Sequence, residues 1–140
     1  MENLRQLVYV SAPARPMKDS ELFEIVETAR RGNAESNVTG MLLYAEGAFI
    51  QVLEGDPQTV ERLLRKIKRD PRHRRFLILL DRVAQNRDFE DWPMAFARVS
   101  LQELDQIAGY QDWTAEMPTR RKNAAALRLI ESFRRATVER

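Results

Sequence analysis

The sequence has no cysteine, a single histidine and no long apolar run. Without cysteine there can be no disulfide, Cys-ligated zinc, iron–sulfur cluster or thiol nucleophile. One histidine, His73, is too few for a multi-histidine metal site and leaves none to spare beside a Ser-His-Asp triad. The longest apolar stretches, such as Phe76-Leu77-Ile78-Leu79-Leu80, fall far short of the roughly 20 residues that span a bilayer. The opening residues Met1-Glu2-Asn3-Leu4 carry neither a basic n-region nor an apolar h-region. No signal peptide is therefore expected, and the expectation is a cytoplasmic protein with no membrane partner. What is present is 140 residues, 44% hydrophobic and 31% charged, which suits one domain or one domain plus an appendage. A chain of this length buries about 68% of its unfolded surface, enough for a proper core without metal or disulfide staples.

Charge is nearly balanced, at a formal +2, but unevenly placed. Residues 62–75 hold eight bases against Asp70 alone, residues 88–116 hold seven acids against Arg98, and residues 119–140 are basic again. The basic middle could attract phosphates. It could equally be a solvated helix face that pairs with the acidic stretch. The small net charge argues against a direct nucleic-acid partner.

Periodicity gives the order of elements. Leu4–Ser11 reads as a strand, with Leu7, Tyr9 and Ser11 on one face and Val8 and Val10 on the other. Asp19 or Ser20 can cap a helix with the stripe Leu22, Ile25, Val26 and Ala29, which Gly32 and Asn33 end. Val38–Tyr44 and Ala48–Glu54 read as a hairpin around Gly47. Asp56-Pro57 opens a second helix, with the stripe Val60, Leu63, Leu64 and Ile67, and Asp70-Pro71 stops it. Phe76–Val83 reads as a strand buried on both faces, and Met94–Val99 as a short strand that includes Met94 beside Trp92 and Pro93. The order β-α-β-β-α-β plus a fifth strand is an α+β, ferredoxin-like pattern, with both helices on one sheet face and strands one and three as neighbours. Residues 100–140 are expected to be a helical extension: Leu101–Ala108, an irregular Gly109–Pro118, then a helix from Thr119 bearing Ala126, Leu129, Ile130 and Phe133. It should cover the other face, where Val8, Val10, Ile50 and Val52 would otherwise meet water. Residues 1–99 and 100–140 are thus the expected units.

Some residues fit a plain core poorly. Gln51 lies mid-strand between Ile50 and Val52, on the face of Phe49 and Leu53. A buried amide costs roughly 1–3 kcal/mol unless its hydrogen bonds are met. Tyr9 would lie within reach of it if strands one and three are neighbours. The pair could be purely structural, or it could serve a ligand. Asn33 could be a helix C-cap or a ligand contact. Asp70, Arg72 and His73 could be an ion cluster at a helix C-terminus, or contacts to a ligand between the helices. Trp92 and Met94 read more readily as core than as cofactor contacts. An apolar slot with a few fixed amides suits a planar heterocycle with imide-like edges.

Taken together, Leu7-Val8-Tyr9-Val10-Ser11, Asn33, Val38-Thr39-Gly40-Met41-Leu42-Leu43-Tyr44, Phe49-Ile50-Gln51-Val52-Leu53-Glu54-Gly55, Asp70-Pro71-Arg72-His73 and Phe89-Glu90-Asp91-Trp92-Pro93-Met94 resemble a BLUF domain over about residues 4 to 99. That family comprises blue-light sensors that use FAD. The resemblance implies FAD as cofactor, FMN being the alternative, and a stand-alone sensor without enzymatic turnover. Tyr9 matches the tyrosine that gives an electron and proton to the excited flavin, and Gln51 the glutamine between it and the flavin. Asn33 matches the asparagine at the flavin's polar edge, and Ser11 lies in the matching Y-x-S. Ile25 and Ile67 would flank the ring. Lys66, Asp70, Arg72 and His73 would lie toward its edge and the ribityl side. Arg30 and Leu53 complete the implied cofactor-binding set, with Met94, and Trp92 and Met94 match the pair that repositions with Gln51. Gly32 and Ala29 depart from the family pattern, which often has a polar residue and a serine there. The implied partners are the flavin and a separate downstream signalling protein; packing through the sheet face or the tail helix could also give a homodimer. The alternative reading is a nucleic-acid-binding or transcription-interaction module using residues 62–75.

Overall fold

The structure, a computed structural model, describes residues 3–45, 47–90, 92–108 and 116–138, without the side chains of residues 101, 107–108 and 133–138. Its elements are β1 (Leu4–Pro13), α1 (Asp19–Glu35), β2 (Thr39–Ala45), β3 (Ala48–Gly55), α2 (Pro57–Arg69), β4 (His73–Ala84), β5 (Ala95–Val99), α3 (Leu101–Ala108) and α4 (Thr119–Val138). The five-stranded sheet has the order β4-β1-β3-β2-β5. β5 runs parallel to β2 and every other pairing is antiparallel. This is the expected ferredoxin-like arrangement with a fifth strand, β1 and β3 lying side by side.

Strand alternation divides the interior into two cores. Leu7, Tyr9, Leu42, Phe49 and Leu53 face α1 and α2, where they meet Leu22, Val26, Val60 and Leu64. Val8, Val10, Met41, Ile50 and Val52 face the other way and meet Leu104 of α3 and Ala125, Ala126, Leu129 and Ile130 of α4. The expected contact of Phe133 and the irregular stretch at 109–115 lie outside the described residues. No helix among those described is long and apolar enough to cross a membrane.

Local chemistry explains where the elements start and stop. Asp56 caps α2 by accepting the Thr59 N–H at 3.1 Å, and Pro57 occupies the first turn. α1 differs from expectation at both ends. Lys18 is its N-cap, and the Glu21 carboxylate accepts the Lys18 N–H at 3.3 Å. The helix runs through Gly32 and Asn33 to Glu35, so Asn33 is a buried residue of the last turn and not a C-cap. The left-handed residue that ends such helices is Asn37, at φ 55°, one turn later than Gly32-Asn33 suggests. Gly47 turns the β2–β3 hairpin at φ 87°. Gly40 serves close approach instead: a Cβ there would lie 1.9 Å from the Val52 carbonyl oxygen.

β4 is not the doubly buried strand its apolar run suggests. It is an edge strand whose ends are exposed and whose full burial is confined to Leu79 and Leu80. Its register with β1 breaks between Val8 and Tyr9 and again between Val10 and Ala12. Arg75, at φ 56°, marks the second irregularity. The breaks let Phe76 and Ile78 pack toward α1 and α2 while Leu77, Leu79 and Leu80 pack toward α4. β5 is shorter than expected and begins after Met94. Pro93 brings no N–H to a ladder, and the Gly40 N–H reaches the Trp92 carbonyl at 3.0 Å just before it.

Candidate functional site

A cavity of about 140 Å³ lies between α1, α2 and the sheet. Its floor is one row across three strands. Tyr9 of β1 stands opposite Gln51 of β3, and Gln51 opposite Leu42 of β2. Its walls are two helical stripes of the same spacing, i, i+3, i+4, i+7: Ile25, Thr28, Ala29 and Gly32 on α1, and Leu63, Lys66, Ile67 and Asp70 along α2 and its cap. Asn33, Arg72 and His73 complete the lining.

Tyr9 is 1% exposed and Gln51 7%. The Tyr9 hydroxyl donates to Gln51 Oε1. Burial pushes the phenol's ionisation far above its ordinary range, and the negative charge of Asp70 adds to the shift, so Tyr9 stays a neutral donor. The other end of the Gln51 amide is held weakly: Nε2 donates to Met94 Sδ at 3.9 Å. A thioether is a poor acceptor. Gln51 therefore has one firm bond and one soft one, and a carbonyl or ring nitrogen placed in the cavity would outcompete the sulfur.

The mouth is polar. Arg72 binds Asp70 through its backbone N–H (2.9 Å) and through a guanidinium contact at 2.6 Å. The Arg72 guanidinium holds the Asp70 carboxyl below the usual carboxylate range. His73 shares a 3.2 Å hydrogen bond between Nδ1 and Ser11 Oγ, and its ring meets Phe49 edge-on at 5.1 Å. Burial lowers its pKa, with Asp70 opposing and Arg72 assisting. Of the ion cluster that the sequence allowed, the structure shows an Asp70–Arg72 pair, while the partly buried His73 ring bonds Ser11 instead.

Tyr9, Ile25, Asn33, Gln51, Lys66, Ile67, Asp70, Arg72 and His73 all line the cavity as the sequence suggests. Five others stand back from it. Ser11 sits behind His73. Leu53 is fully buried in the core on the same sheet face, two residues along β3 from Gln51. Met94 is buried beside Gln51. Arg30 donates from Nε to the Met94 carbonyl at 2.9 Å. Trp92 is 40% exposed, so it is neither the core residue nor the cavity neighbour expected. Pro93 between them turns Met94 inward and leaves Trp92 outward. Sequence reasoning passed over Thr28, Leu42 and Leu63 as lining residues. Extending the Ile25 and Ile67 stripes by one helical step would have found Thr28 and Leu63, and the cross-strand partner of Gln51 would have found Leu42. Among the described residues no cluster of His, Cys, Asp or Glu could hold a metal ion.

The donor set fits one kind of ligand. Flat apolar walls, side-chain amides at Gln51 and Asn33, and cations at the mouth suit a planar heteroaromatic ring with an imide-like edge and an anionic tail. A ferredoxin-like sheet carrying such a cleft over a Tyr–Gln pair defines a domain that holds an aromatic cofactor. The chain belongs to the BLUF family, sensors of blue light using FAD, whose family model matches residues 4–95. It is similar to photoactivated adenylate cyclase subunit beta of Euglena longa, 46% identical over 70 residues, which is half of this chain but 8% of that protein. It is also 38% identical over 92 residues to the blue light- and temperature-regulated antirepressor BluF of Escherichia coli, covering 66% of this chain and 22% of that one. A dark-state structure of the BLUF protein BlrB superimposes with a TM-score of 0.78 at 27% identity, covering 97% of this chain and 98% of that one.

Proposed function

We propose that the protein is a cytoplasmic blue-light photoreceptor that holds FAD non-covalently between α1 and α2, the same ring contacts accepting FMN. Ile25 and Ile67 would flank the ring. Gln51 and Asn33 would present amides to its polar edge, and Lys66, Asp70, Arg72 and His73 would meet the ribityl and phosphate side. Ser11, Arg30, Leu53 and Met94 would support these residues from behind.

When bound and excited by blue light, the flavin supplies a strong one-electron oxidant. Tyr9 would be the residue that gives an electron to it, and its phenolic proton would have a path through Gln51 Oε1. The observation that carries this reading is that bond, buried at the cavity floor, with the Met94 Sδ contact on the other end of the amide among the described residues. An amide has a donor end and an acceptor end, so turning it over, or shifting a proton across it, exchanges its bonds without breaking the chain of contacts. Return of the electron and proton to Tyr9 would leave Gln51 in the second arrangement. Relaxation to the first restores the dark state. The change is relayed through Met94 to β5, α3 and α4, and from there to a separate partner protein. The antirepressor and the adenylate cyclase subunit among its relatives illustrate the kinds of output such a change can drive.

The test is an absorption spectrum of the purified protein in the dark and after blue light. A flavin spectrum that moves slightly to the red and relaxes in the dark is expected. Bound flavin that bleaches or does not respond would overturn the photochemical reading. The nucleic-acid reading has less behind it, because the basic segment is partly committed within the fold: Arg72 pairs with Asp70, Arg65 with Glu61, and Lys66 lines the cavity.

A further inference from the structure

Glu54 is a buried carboxylate that the photochemical reading leaves without a role. It is 1% exposed at the end of β3, three residues from Gln51. It accepts four hydrogen bonds. Gln6 Nε2 (2.8 Å) and Thr39 Oγ1 (3.0 Å) come from neighbouring strands. The other two are the backbone N–H groups of Asp88 (2.7 Å) and Phe89 (3.0 Å). A carboxylate that has given up water for two successive amides fixes that stretch of backbone firmly. Arg87 reinforces it, bonding the Glu54 carbonyl at 3.0 Å and Thr39 Oγ1 at 2.9 Å.

The stretch so held connects the two cores. Phe89 is buried among the residues that meet α4, and Met94 is buried among those that meet Tyr9. Residues 87–90 and 92–94 thus form a strap that carries one side chain into each face of the sheet. Its far end is held by α1: Asn33 Nδ2 donates to the Pro93 carbonyl at 2.8 Å and Arg30 Nε to the Met94 carbonyl.

We propose that Glu54 is a positioning residue of the photocycle. By anchoring the strap at Asp88 and Phe89 it sets where Met94 Sδ meets Gln51, and so how long Gln51 stays in its second arrangement and how its change reaches the α4 face. The proposal rests on the photoreceptor reading for its light-driven part only. Glu54→Gln replaces one acceptor oxygen with an NH₂ that opposes the donors facing it. Asp81→Asn is the control: it weakens the Arg5–Asp81 pair on β1 and β4, away from the strap.

The test uses the full-length flavin-loaded protein. In the dark, the NMR signal of the Met94 methyl and the exchange rates of the Asp88 and Phe89 amides are compared among wild type, Glu54→Gln and Asp81→Asn. The Glu54 variant alone should shift or broaden the methyl and speed exchange of those amides at least tenfold. After blue light, it should keep the spectral shift but lose it in the dark three- to tenfold faster than wild type, while the Asp81 variant stays within twofold. Arg87→Ala loosens the same anchor from the partly exposed side and should act in the same direction, which serves if Glu54→Gln does not fold. Unchanged Met94 and unchanged recovery in a folded variant overturn the proposal. A wild type with no reversible shift overturns the photoreceptor reading instead, while the dark comparison still decides whether Glu54 positions Met94.

Discussion

Asn33 donates from its side-chain amide to the carbonyl of Pro93, 2.8 Å away, joining the last turn of α1 to the segment that leads into β5. Arg30, one turn earlier on the same helix face, takes the next carbonyl, that of Met94. α1 is therefore more than a wall of the cleft: it grips two successive backbone groups beside Gln51. Asn33→Ala should remove a part-buried hydrogen bond, at a cost of about 0.5–1.5 kcal/mol. A urea titration should show a lower midpoint with an unchanged slope.

Tyr9→Phe removes a hydroxyl that donates to a buried amide. The ring still packs 5.2 Å from Phe76, so the cavity keeps its shape and flavin should remain bound. The loss to stability should be about 1–3 kcal/mol, since Gln51 Oε1 loses its donor. The light-induced red shift should vanish. A variant that still shifts and recovers would remove Tyr9 from the role proposed for it.

Gly40→Ala should be among the most damaging single changes. The added methyl would meet the Val52 carbonyl at 1.9 Å, and backbone cannot move aside as a flexible side chain can. A loss of about 4 kcal/mol or more is expected. Circular dichroism during thermal melting would show it, and a near-normal melting curve would contradict the close approach of β2 to β3.

Stability should fall on both sides of neutrality for separate reasons. The folded state raises the pKa of Tyr9, so above about pH 10 the unfolded chain loses a proton that the folded chain keeps. Stability then declines with rising pH, and Tyr9→Phe should flatten that limb. The folded state lowers the pKa of His73, so below about pH 6.5 the unfolded chain takes up a proton that the folded chain resists. Stability declines as pH falls through that range, and His73→Asn should blunt the decline. Chemical denaturation of the three proteins from pH 5 to 11 measures both limbs.

Much of this was legible in the residues, and the exceptions have local causes. The two helices announced themselves through repeated i, i+3, i+4, i+7 stripes, and the Asp56-Pro57 start of α2 was read correctly because capping is a local property. Tyr9 and Gln51 stood out as polar side chains on otherwise apolar faces. The end of α1 was misread because Gly32-Asn33 imitates a terminator, while the residue with the left-handed backbone is Asn37. β4 was misread because an unbroken apolar run looks the same whether a strand is buried on both faces or slips its phase twice, and bulges leave no mark in composition. Trp92 reads as core from its apolar side chain alone, while the structure leaves it 40% exposed before β5 begins. The roles of Arg30 and Glu54 depend on backbone groups more than 30 residues away, which no spacing rule reaches.

The irregularities of β4 have a second effect besides aiming Phe76 into the cleft. An edge strand of 12 residues would ordinarily be a template on which a second molecule could add a strand. Here the repeat breaks twice, and Arg74 and Arg75 are exposed along it. A neighbouring chain would find neither a continuous row of hydrogen-bonding groups nor a neutral surface. The bends that shape the sensory cleft thus also protect the protein from aggregating through its longest open edge.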